Sequence, residues 1–327
     1  MIKILLNTLL GLVLIFIWSR FVNLRQIANI ISGTNLLYLG PIFFLLLLSP
    51  IIRALRLKIF LAEVKKVKLL DLIFLNGVAI MLNFFIPIRA GEIAKGIYLN
   101  TNYQLNLGKS VIWIFLDRFV DFLIVLLLAT GFLLVVPTSL GTKFTIMVSI
   151  IFILASGFAY LVIFQLKFSQ KLAQILKNLL IQKHIKVYFE KFSNFILESF
   201  KILDRHPKDL FFMVLLTVLA YCSDGAIWYF MFISLGSHQN YLKMYLGQLL
   251  SALTYLVPAA PGYVGSAEAS GLLIFSGVFG INADLASATT VLFHIIVAIF
   301  TLLFGLLSVF LLKIDLGLIL KKALNRT

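Results

Sequence analysis

The chain is poor in cysteine and in acidic residues. Its single cysteine, Cys222, cannot form a disulfide within one chain, and no cluster of cysteine and histidine with metal-ligand spacing is present. We therefore expect no metal and no other cofactor. Charged residues make up only 13% of the chain, whereas 61% is hydrophobic and the mean hydropathy is +1.07. These proportions exclude a soluble globular protein.

Long apolar runs recur along the whole chain and predict an all-α polytopic membrane protein. The runs are continuous rather than alternating, which excludes a transmembrane barrel. The first run carries Lys3 like a signal peptide but lacks a small-residue cleavage site, so we expect it to be retained. The runs long enough to cross a bilayer are residues 2–17, 36–52, 111–136, 144–166, 210–235 and 285–312.

Two shorter apolar runs, residues 69–86 and 241–257, are each followed by a proline, Pro87 or Pro258. A stretch with glycine and glutamate comes next in both cases. Broken backbone and charge at membrane depth survive only where protein or a water-filled cavity covers them, and transporters often place binding sites between two such breaks. We expect re-entrant hairpins at about residues 69–100 and 241–280, related as an inverted repeat; the alternative is a chance match of two similar strings.

The distribution of basic residues distinguishes two topologies. Basic clusters lie at residues 53–68, at residues 167–208 and at the C-terminus. The positive-inside rule places all three in the cytoplasm. Six crossings plus two hairpins from opposite faces satisfy this rule, whereas eight plain crossings separate the first two clusters. We expect the hairpin arrangement, with both termini on the cytoplasmic side of a prokaryotic cell membrane, and keep eight crossings as the alternative.

The net charge of +15 would suit a nucleic-acid-binding protein. In a membrane protein, cytoplasmic lysines and arginines facing anionic headgroups explain it better, so we expect lipid partners and no nucleic acid. Within a single transmembrane domain, residues 168–208 alternate apolar residues and lysines at helical spacing. This pattern predicts a helical segment along the cytoplasmic interface, and a solvated linker between two bundle halves is the alternative.

Ionisable side chains within the apolar segments are the candidate site, because each costs on the order of 2.5–3.5 kcal/mol at the bilayer centre. The string "LDRFVD" places Arg118 between Asp117 and Asp121 on one helical face. A structural ion pair and a direct substrate role are both open for Arg118 and Asp121, while Asp117 could simply reach the interface. Asp224 has no partner in its own helix, so another segment must balance it.

Arg89, Glu92 and Lys95 follow the first break. A guanidinium beside a helix start forms a natural phosphate receptor, and Glu92 between the two cations favours a paired network. The alternative is that Arg89 and Lys95 extend to the headgroup layer.

Glu268 follows the second break, at the start of a half-helix. It either stabilises the helix dipole or faces a cavity, where it would pair with Arg89, Arg118 or a cationic headgroup. His294, in the last crossing, is either a satisfied hydrogen-bond partner or a proton relay.

Three strings in this order, "PIRAGEIAKG", "LDRFVDFL" and "PAAPGYVGSAEAS", carry a family resemblance over nearly the whole chain. Together they resemble the flippase-like transmembrane region of lysylphosphatidylglycerol synthases and their stand-alone relatives. Lys95 and Asp117 stand where arginine and glutamate are common, and His294 stands where we expect an arginine, so lipid specificity need not be identical. The family pattern falls on Pro87, Arg89, Gly91, Glu92, Lys95, Asp117, Arg118, Asp121, Pro258, Pro261, Gly262, Gly265 and Glu268.

The resemblance implies movement of a polar-headed lipid between leaflets by a flippase or scramblase-like transporter. The cargo would be an anionic phospholipid, an aminoacylated lipid, or a polyprenyl-linked lipid or glycolipid. No synthase domain lies within the 327 residues, so we expect a separate lipid-modifying enzyme to supply it. Arg89 and Arg118 would hold the phosphate, while Glu92, Asp121 and Glu268 would balance them or bind a cationic headgroup.

The energy source and the chemistry have alternatives. No phosphate-binding Gly-x-x-x-x-Gly-Lys-[Ser/Thr] loop is present, so movement is either downhill or coupled to an ion or proton through a carboxylate or His294. An intramembrane enzyme acting on a lipid phosphate or ester could use Glu92, Glu268 and His294 as acid and base, although no recognisable nucleophile motif accompanies them. A small-solute secondary transporter would also use broken helices.

Overall fold

The computed structural model describes residues 2–62, 64–86, 90–180, 182, 186–187, 189–190, 193–194, 197, 207–254 and 260–317, and over these residues it is helical, without strands. The expected all-α class is confirmed. The α-helices are α1 Ile2–Ser19, α2 Leu24–Ser32, α3 Leu39–Ala62, α4 Leu69–Phe85, α5 Ala90–Tyr103, α6 Leu107–Val135, α7 Thr142–Phe164, α8 Leu166–Leu179, α9 Pro207–Ser234, α10 Tyr241–Thr254, α11 Ser266–Gly271 and α12 Ala283–Leu312. Short 3-10 turns, Leu36–Tyr38 and Pro261–Tyr263, precede α3 and α11, and α11 continues as a π-helical stretch, Leu272–Val278.

Long apolar helices occupy all six predicted crossings. α3, α6, α7, α9 and α12 each contain a stretch long and apolar enough to cross a membrane, and α1 passes the same test together with α2, across an 87° bend. Large apolar side chains cover these helices on the outside; Leu154 is 67% exposed and Phe310 is 78% exposed. An apolar surface of this extent requires a lipid environment, so the chain is a multi-pass membrane protein.

α4 and α5 run antiparallel on either side of the first break. The Tyr103 hydroxyl, at the end of α5, donates to the Asp71 carboxylate near the start of α4 at 2.5 Å, and the Lys68 N–H donates to the Tyr103 oxygen at 3.2 Å. The hairpin therefore begins and ends at the same end of the bundle, as expected for residues 69–100. The break itself, including Pro87 and Arg89, lies outside the described residues.

The second break is flanked by α10 on one side and by α11 with its π-helical continuation on the other. The rings of Phe275 and Phe279 cover Gly247 of α10, where an added Cβ would lie 2.8 Å from the Phe275 ring. The returning half therefore runs back along α10. Pro258 belongs to residues 255–259, which lie outside the described part of the chain.

The two hairpins open at opposite ends of the bundle. The Asn35 N–H donates to the Ser234 carbonyl at 2.7 Å, so α3 begins where α9 ends. Near the other ends of the same helices, Leu57 and Met213 share an apolar cluster. Because the first hairpin follows α3 and the second follows antiparallel α9, the chain contains two crossing–hairpin–crossing units of opposite orientation. This is the topology of an inverted repeat.

Basic segments gather at the end where the first hairpin opens. Val67, Val162 and Ile314 belong to or pack against one apolar cluster there. The lysines before α4, the basic helix α8 and Lys313 after α12 therefore share this end. α8 forms the described start of the predicted interfacial segment 168–208; most of residues 181–206 lie outside the described part. That this end faces the cytoplasm stays a prediction.

Candidate functional site

Two arginines that the sequence reasoning counted with a cytoplasmic loop lie inside the bundle. We expected the second crossing to end at residue 52, but α3 continues to Ala62, so Arg53 and Arg56 project from a helix. Arg56 is only 2% exposed. Assigning these two residues to the loop was wrong. Their spacing of three was the available signal, because it places both on one face of a continuing helix.

Arg56 joins three helices. Its Nε and Nη2 donate to the two carboxylate oxygens of Asp117, each at 3.0 Å, and its Nη1 donates to Asp121 and, at 2.9 Å, to the Thr217 hydroxyl. Asp117 and Asp121 are both buried, so Asp117 does not reach the interface. A bidentate and fully buried arginine of this kind fixes the positions of α3, α6 and α9. We interpret this part as scaffold.

Arg53 extends the same network to α9. Its Nη2 donates to the Asp224 carboxylate at 2.7 Å, and its Nη1 lies 3.5 Å from Asp121. The guanidinium also lies over the Tyr221 ring, 4.8 Å from its centroid. The prediction that another segment balances Asp224 is confirmed, and that segment is α3.

Glu92 is the third residue of α5 and contacts two cations. One carboxylate oxygen lies 3.2 Å from Arg118 Nε, and the other lies 3.6 Å from Lys95 Nζ. Arg118 lies 4.0 Å from Asp121, which is on the same helix. The carboxylate nearer to Arg118 is therefore that of Glu92, on α5. The Arg118 side chain is 30% exposed, compared with 3% for Arg56. Arg118 is therefore the accessible end of the network.

The described part of this network holds four cations and four carboxylates, so it is neutral when all are ionised. Lys95 is 2% exposed, which contradicts the alternative that it extends to the headgroup layer. The same alternative for Arg89 falls on a residue outside the described part of the chain. The members are Arg53, Arg56, Lys95 and Arg118 with Glu92, Asp117, Asp121 and Asp224.

Glu268 and His294 form a separate pair at the second break. His294 Nδ1 lies 2.6 Å from one Glu268 oxygen, and Nε2 lies 2.6 Å from the Gly262 carbonyl oxygen. The Gly265 N–H donates to the other Glu268 oxygen at 2.7 Å, so this carboxylate also caps its own helix. His294 is thus confirmed as a hydrogen-bonded residue. The partner of Glu268 on another helix is His294, not Arg118.

Left-handed backbone shapes the second break. Gly262, Tyr263 and Gly265 have φ values of 70°, 57° and 82°, and Pro261 begins the turn that contains the first two. A Cβ on Gly265 would overlap the backbone of Gly11 in α1. The glycines of this motif are therefore structural, because they permit the turn and its close approach to α1.

The last turn of α4 connects the two hairpins. The Asn83 side chain accepts from the Gly91 N–H at 2.8 Å and donates to Glu92 at 3.4 Å. The neighbouring Phe84 ring lies 6.0 Å from the rings of His294 and Tyr263. Sequence reasoning missed both residues. The available signal for Asn83 was a polar side chain in an apolar run.

Comparisons with known proteins assign the chain to a family. The family described as "Lysylphosphatidylglycerol synthase TM region" matches residues 4–305. A "UPF0104 membrane protein" of Archaeoglobus fulgidus is 26% identical over 207 residues, which cover 60% of this chain and 62% of that relative. The match thus spans less than two thirds of the relative's length. No solved structure matches. Because the family match covers nearly the whole chain and includes all three motifs, the chain belongs to the lysylphosphatidylglycerol synthase transmembrane-region family.

Proposed function

We propose that this protein moves a polar-headed lipid between the two leaflets of a membrane, with the headgroup passing beside the Arg118–Glu92 pair. The observation that carries the proposal is the accessibility of this pair at the edge of a buried, neutral network. A headgroup that enters hydrocarbon loses its hydration, which is the main barrier to its movement. Fixed charged partners inside the bundle lower that barrier.

The pair can exchange partners without leaving a buried charge alone. A phosphate that takes the Arg118 guanidinium leaves Glu92 with Lys95, 3.6 Å away. Asp121 keeps its contacts with Arg56 and Arg53. Because the planar guanidinium matches phosphate geometry, Arg118 is the natural receptor, and a headgroup amine would bind Glu92.

The remaining assignments follow from position. Arg89 directly precedes α5 in sequence, so we assign it to the same phosphate. The cargo is an anionic phospholipid, an aminoacylated lipid, or a polyprenyl-linked lipid or glycolipid, supplied by a separate enzyme. The proposal gives the site no covalent chemistry, and it places the protein in a prokaryotic cell membrane with both termini in the cytoplasm.

Lipid movement in proteoliposomes tests the proposal. Headgroup-labelled phosphatidylglycerol and an aminoacylated analogue are scored by loss of inner-leaflet protection from an external quencher. Arg118→Gln removes the receptor and should slow movement by about 10- to 100-fold, since a hydrogen bond to a charged group contributes about 1.5–3 kcal/mol. Lys58→Gln, an exposed cation on α3, is the matched control and should move lipid at the wild-type rate.

Three results contradict the proposal. One is movement of both lipids at the wild-type rate in Arg118→Gln. Another is a new lipid product in detergent, where no leaflets exist, because it would indicate an enzyme. The third is failure to move any of four lipids. If neither lipid moves, the same vesicles are tested with a polyprenyl phosphate and a glycolipid, and failure of all four removes lipid translocation.

A further inference from the structure

His294 tethers both sides of the second break to α12. Its Nε2 contacts the carbonyl of Gly262, within the turn, and its Nδ1 contacts Glu268, within the returning helix. Local hydrogen bonds also shape this segment, such as the one from the Tyr263 N–H to the Ala260 carbonyl and the one from the Ser266 hydroxyl to the Tyr263 carbonyl. His294 is thus the described side chain that hydrogen-bonds both sides of the break to α12, and Gly271 adds close packing against Thr290.

The geometry fixes how many protons the pair holds. A backbone carbonyl only accepts hydrogen bonds, so Nε2 must carry a proton to bind Gly262. The 2.6 Å contact between Nδ1 and the Glu268 oxygen needs a second proton between them. That proton sits either on Nδ1, giving imidazolium and carboxylate, or on the carboxyl group. In both forms the pair carries two protons and is neutral overall.

Loss of one proton breaks a tether. If Nε2 keeps its proton, a bare Nδ1 faces a carboxylate at 2.6 Å and the two lone pairs repel each other. If Nδ1 keeps the proton, a bare Nε2 faces the Gly262 carbonyl at the same distance. Neither single-proton form can maintain both contacts, so release of the proton to water frees one side of the break.

The surroundings contain few competing charges. Glu268 and His294 face each other, together with the backbone of Gly262 and Gly265. α9 packs against α12 through Trp228 on Phe293, and its Asp224 is paired with Arg53. The Tyr263 phenol belongs to the turn itself, and the side chains of Lys3 and Arg89 lie outside the described part. The other titratable residues on α4, α10 and α12 lie about 13 Å or more along their helices from the break or from His294. They are Asp71, Tyr241, Lys243, Tyr245 and Asp284.

We propose that Glu268 and His294 form a proton-binding site that holds the second hairpin closed on α12, and that release of its proton opens this hairpin. The hinge is the left-handed segment Gly262–Gly265, where backbone rotation meets little steric resistance at the two glycines. Phe84 contacts both His294 and the turn, and its neighbour Asn83 holds Glu92. Opening of the second hairpin is thereby transmitted to the first hairpin through Phe84 and Asn83 of α4. This coupling to lipid movement rests on the proposed function, whereas the proton site does not.

Cysteine accessibility tests the site without any lipid assay. Cys222→Ser removes the native thiol, and Ser266→Cys places a reporter of nearly the same shape in a half-buried position beside Glu268. For a single proton, thiol labelling should rise up to about tenfold per pH unit until opening is complete. His294→Arg keeps a cation that does not titrate, so labelling should stay slow at every pH. His294→Ala should label fast at every pH.

All labelling rates are first divided by that of a small thiol, because thiolate formation itself raises the rate with pH. A remaining pH-dependent rise in His294→Arg equal to that of the Ser266→Cys parent would overturn the proton site. So would labelling that is flat in the parent between pH 5 and pH 9. Nitrogen NMR of labelled histidine gives an independent measurement. The histidine signal that is absent in His294→Arg should change over the pH range in which labelling rises, because one proton then leaves the Glu268–His294 pair.

The two proposals fail separately. If labelling switches with pH but no lipid moves at any pH, the proton site stands and lipid translocation fails. If lipid moves at one rate across the pH range in wild type and in His294→Arg, and labelling is flat, translocation stands and the proton site fails.

Discussion

The two hairpins share one sequence pattern and differ in what holds them. Each consists of an apolar helix, a break with proline and glycine, and a returning helix whose third residue is glutamate. Glu92 contacts Arg118 and Lys95 from the first hairpin, within a network whose described part holds eight charged side chains. Glu268 caps its own helix and contacts a single imidazole on α12. The shared pattern places a carboxylate at a helix start, and the neighbouring helices decide its role.

This difference assigns different tasks to the two halves. Arg56 and Arg53, each with two or more partners, fix the helices around the first hairpin, and Arg118 is the most exposed arginine in the described part of the network. The second hairpin is hydrogen-bonded to α12 through one titratable ring, packs closely against it at Gly271 and Thr290, and turns through left-handed backbone. We infer that the first hairpin carries the lipid-binding charges and that the second one moves.

The topology of the two hairpins gives the largest expected effect, because labelling from one side is all or none. Lys66→Cys and Thr101→Cys are exposed reporters on the two flanks of the first hairpin, and His238→Cys and Gly277→Cys flank the second. In a Cys222→Ser background, the first two should react with an impermeant thiol reagent from one side of the membrane. The other two should react from the opposite side. Eight plain crossings would instead place Lys66 and Thr101 on different sides.

Removal of Arg56 should be the most destabilising substitution in the first hairpin's network. Arg56→Ala leaves Asp117 and Asp121 buried without their main partner, which costs about 3–5 kcal/mol for a broken buried pair. Lys58→Ala, on an exposed position of the same helix, should stay within about 0.5 kcal/mol. Thermal unfolding in detergent measures both. Equal melting temperatures for the two variants would remove the scaffold role.

Local patterns in the sequence were sufficient for the all-α membrane class, for the long apolar helices and for the two pairs of shorter helices. The number of crossings and the re-entrant insertion of the two hairpins stay predictions. Apolar length identifies a crossing, and proline followed by glycine marks a break, because both effects act within one segment. The predicted lipid site grouped Glu92, Arg118 and Asp121, which do lie in one network, with Glu268, which pairs with His294 instead.

The sequence alone could not identify ion-pair and hydrogen-bond partners that come from distant segments. Arg53 and Arg56 look like the start of a basic loop, and only the packing of α3 against α6 and α9 shows that they are buried beside aspartates. The pairing of Glu268 with His294 spans 26 residues and requires the second hairpin to fold back on α12. A neutral asparagine such as Asn83 gives no charge to balance, so its role at the start of α5 was missed.

Glycine substitutions compare the packing of the two breaks. A Cβ at Gly265 would overlap the Gly11 backbone and would also require a φ of 82°, so Gly265→Ala should cost about 1–3 kcal/mol for overlap and about 1–2 kcal/mol for the left-handed conformation. A Cβ at Gly91 would overlap the Ala79 backbone without requiring a left-handed φ, so Gly91→Ala should cost about 1–3 kcal/mol of stability, for the overlap alone. Gly131→Ala has open space around it and should be neutral or slightly stabilising. Melting temperatures in the reverse order would show that the second break is the looser one.

Neutralising the two glutamates should give the smallest and most discriminating effect. Glu92→Gln leaves Arg118 and Lys95 with one carboxylate fewer and should cost about 1.5–3 kcal/mol. Glu268→Gln should cost less than about 1 kcal/mol, because the amide oxygen still accepts from the Gly265 N–H and the amide N–H can donate to a neutral His294. The same substitution removes the carboxylate of the proton site, so it should flatten the pH dependence of thiol labelling at Ser266→Cys while the melting temperature barely changes. A large loss of stability in Glu268→Gln with labelling still dependent on pH would mean that the second hairpin, like the first, is held by fixed charge.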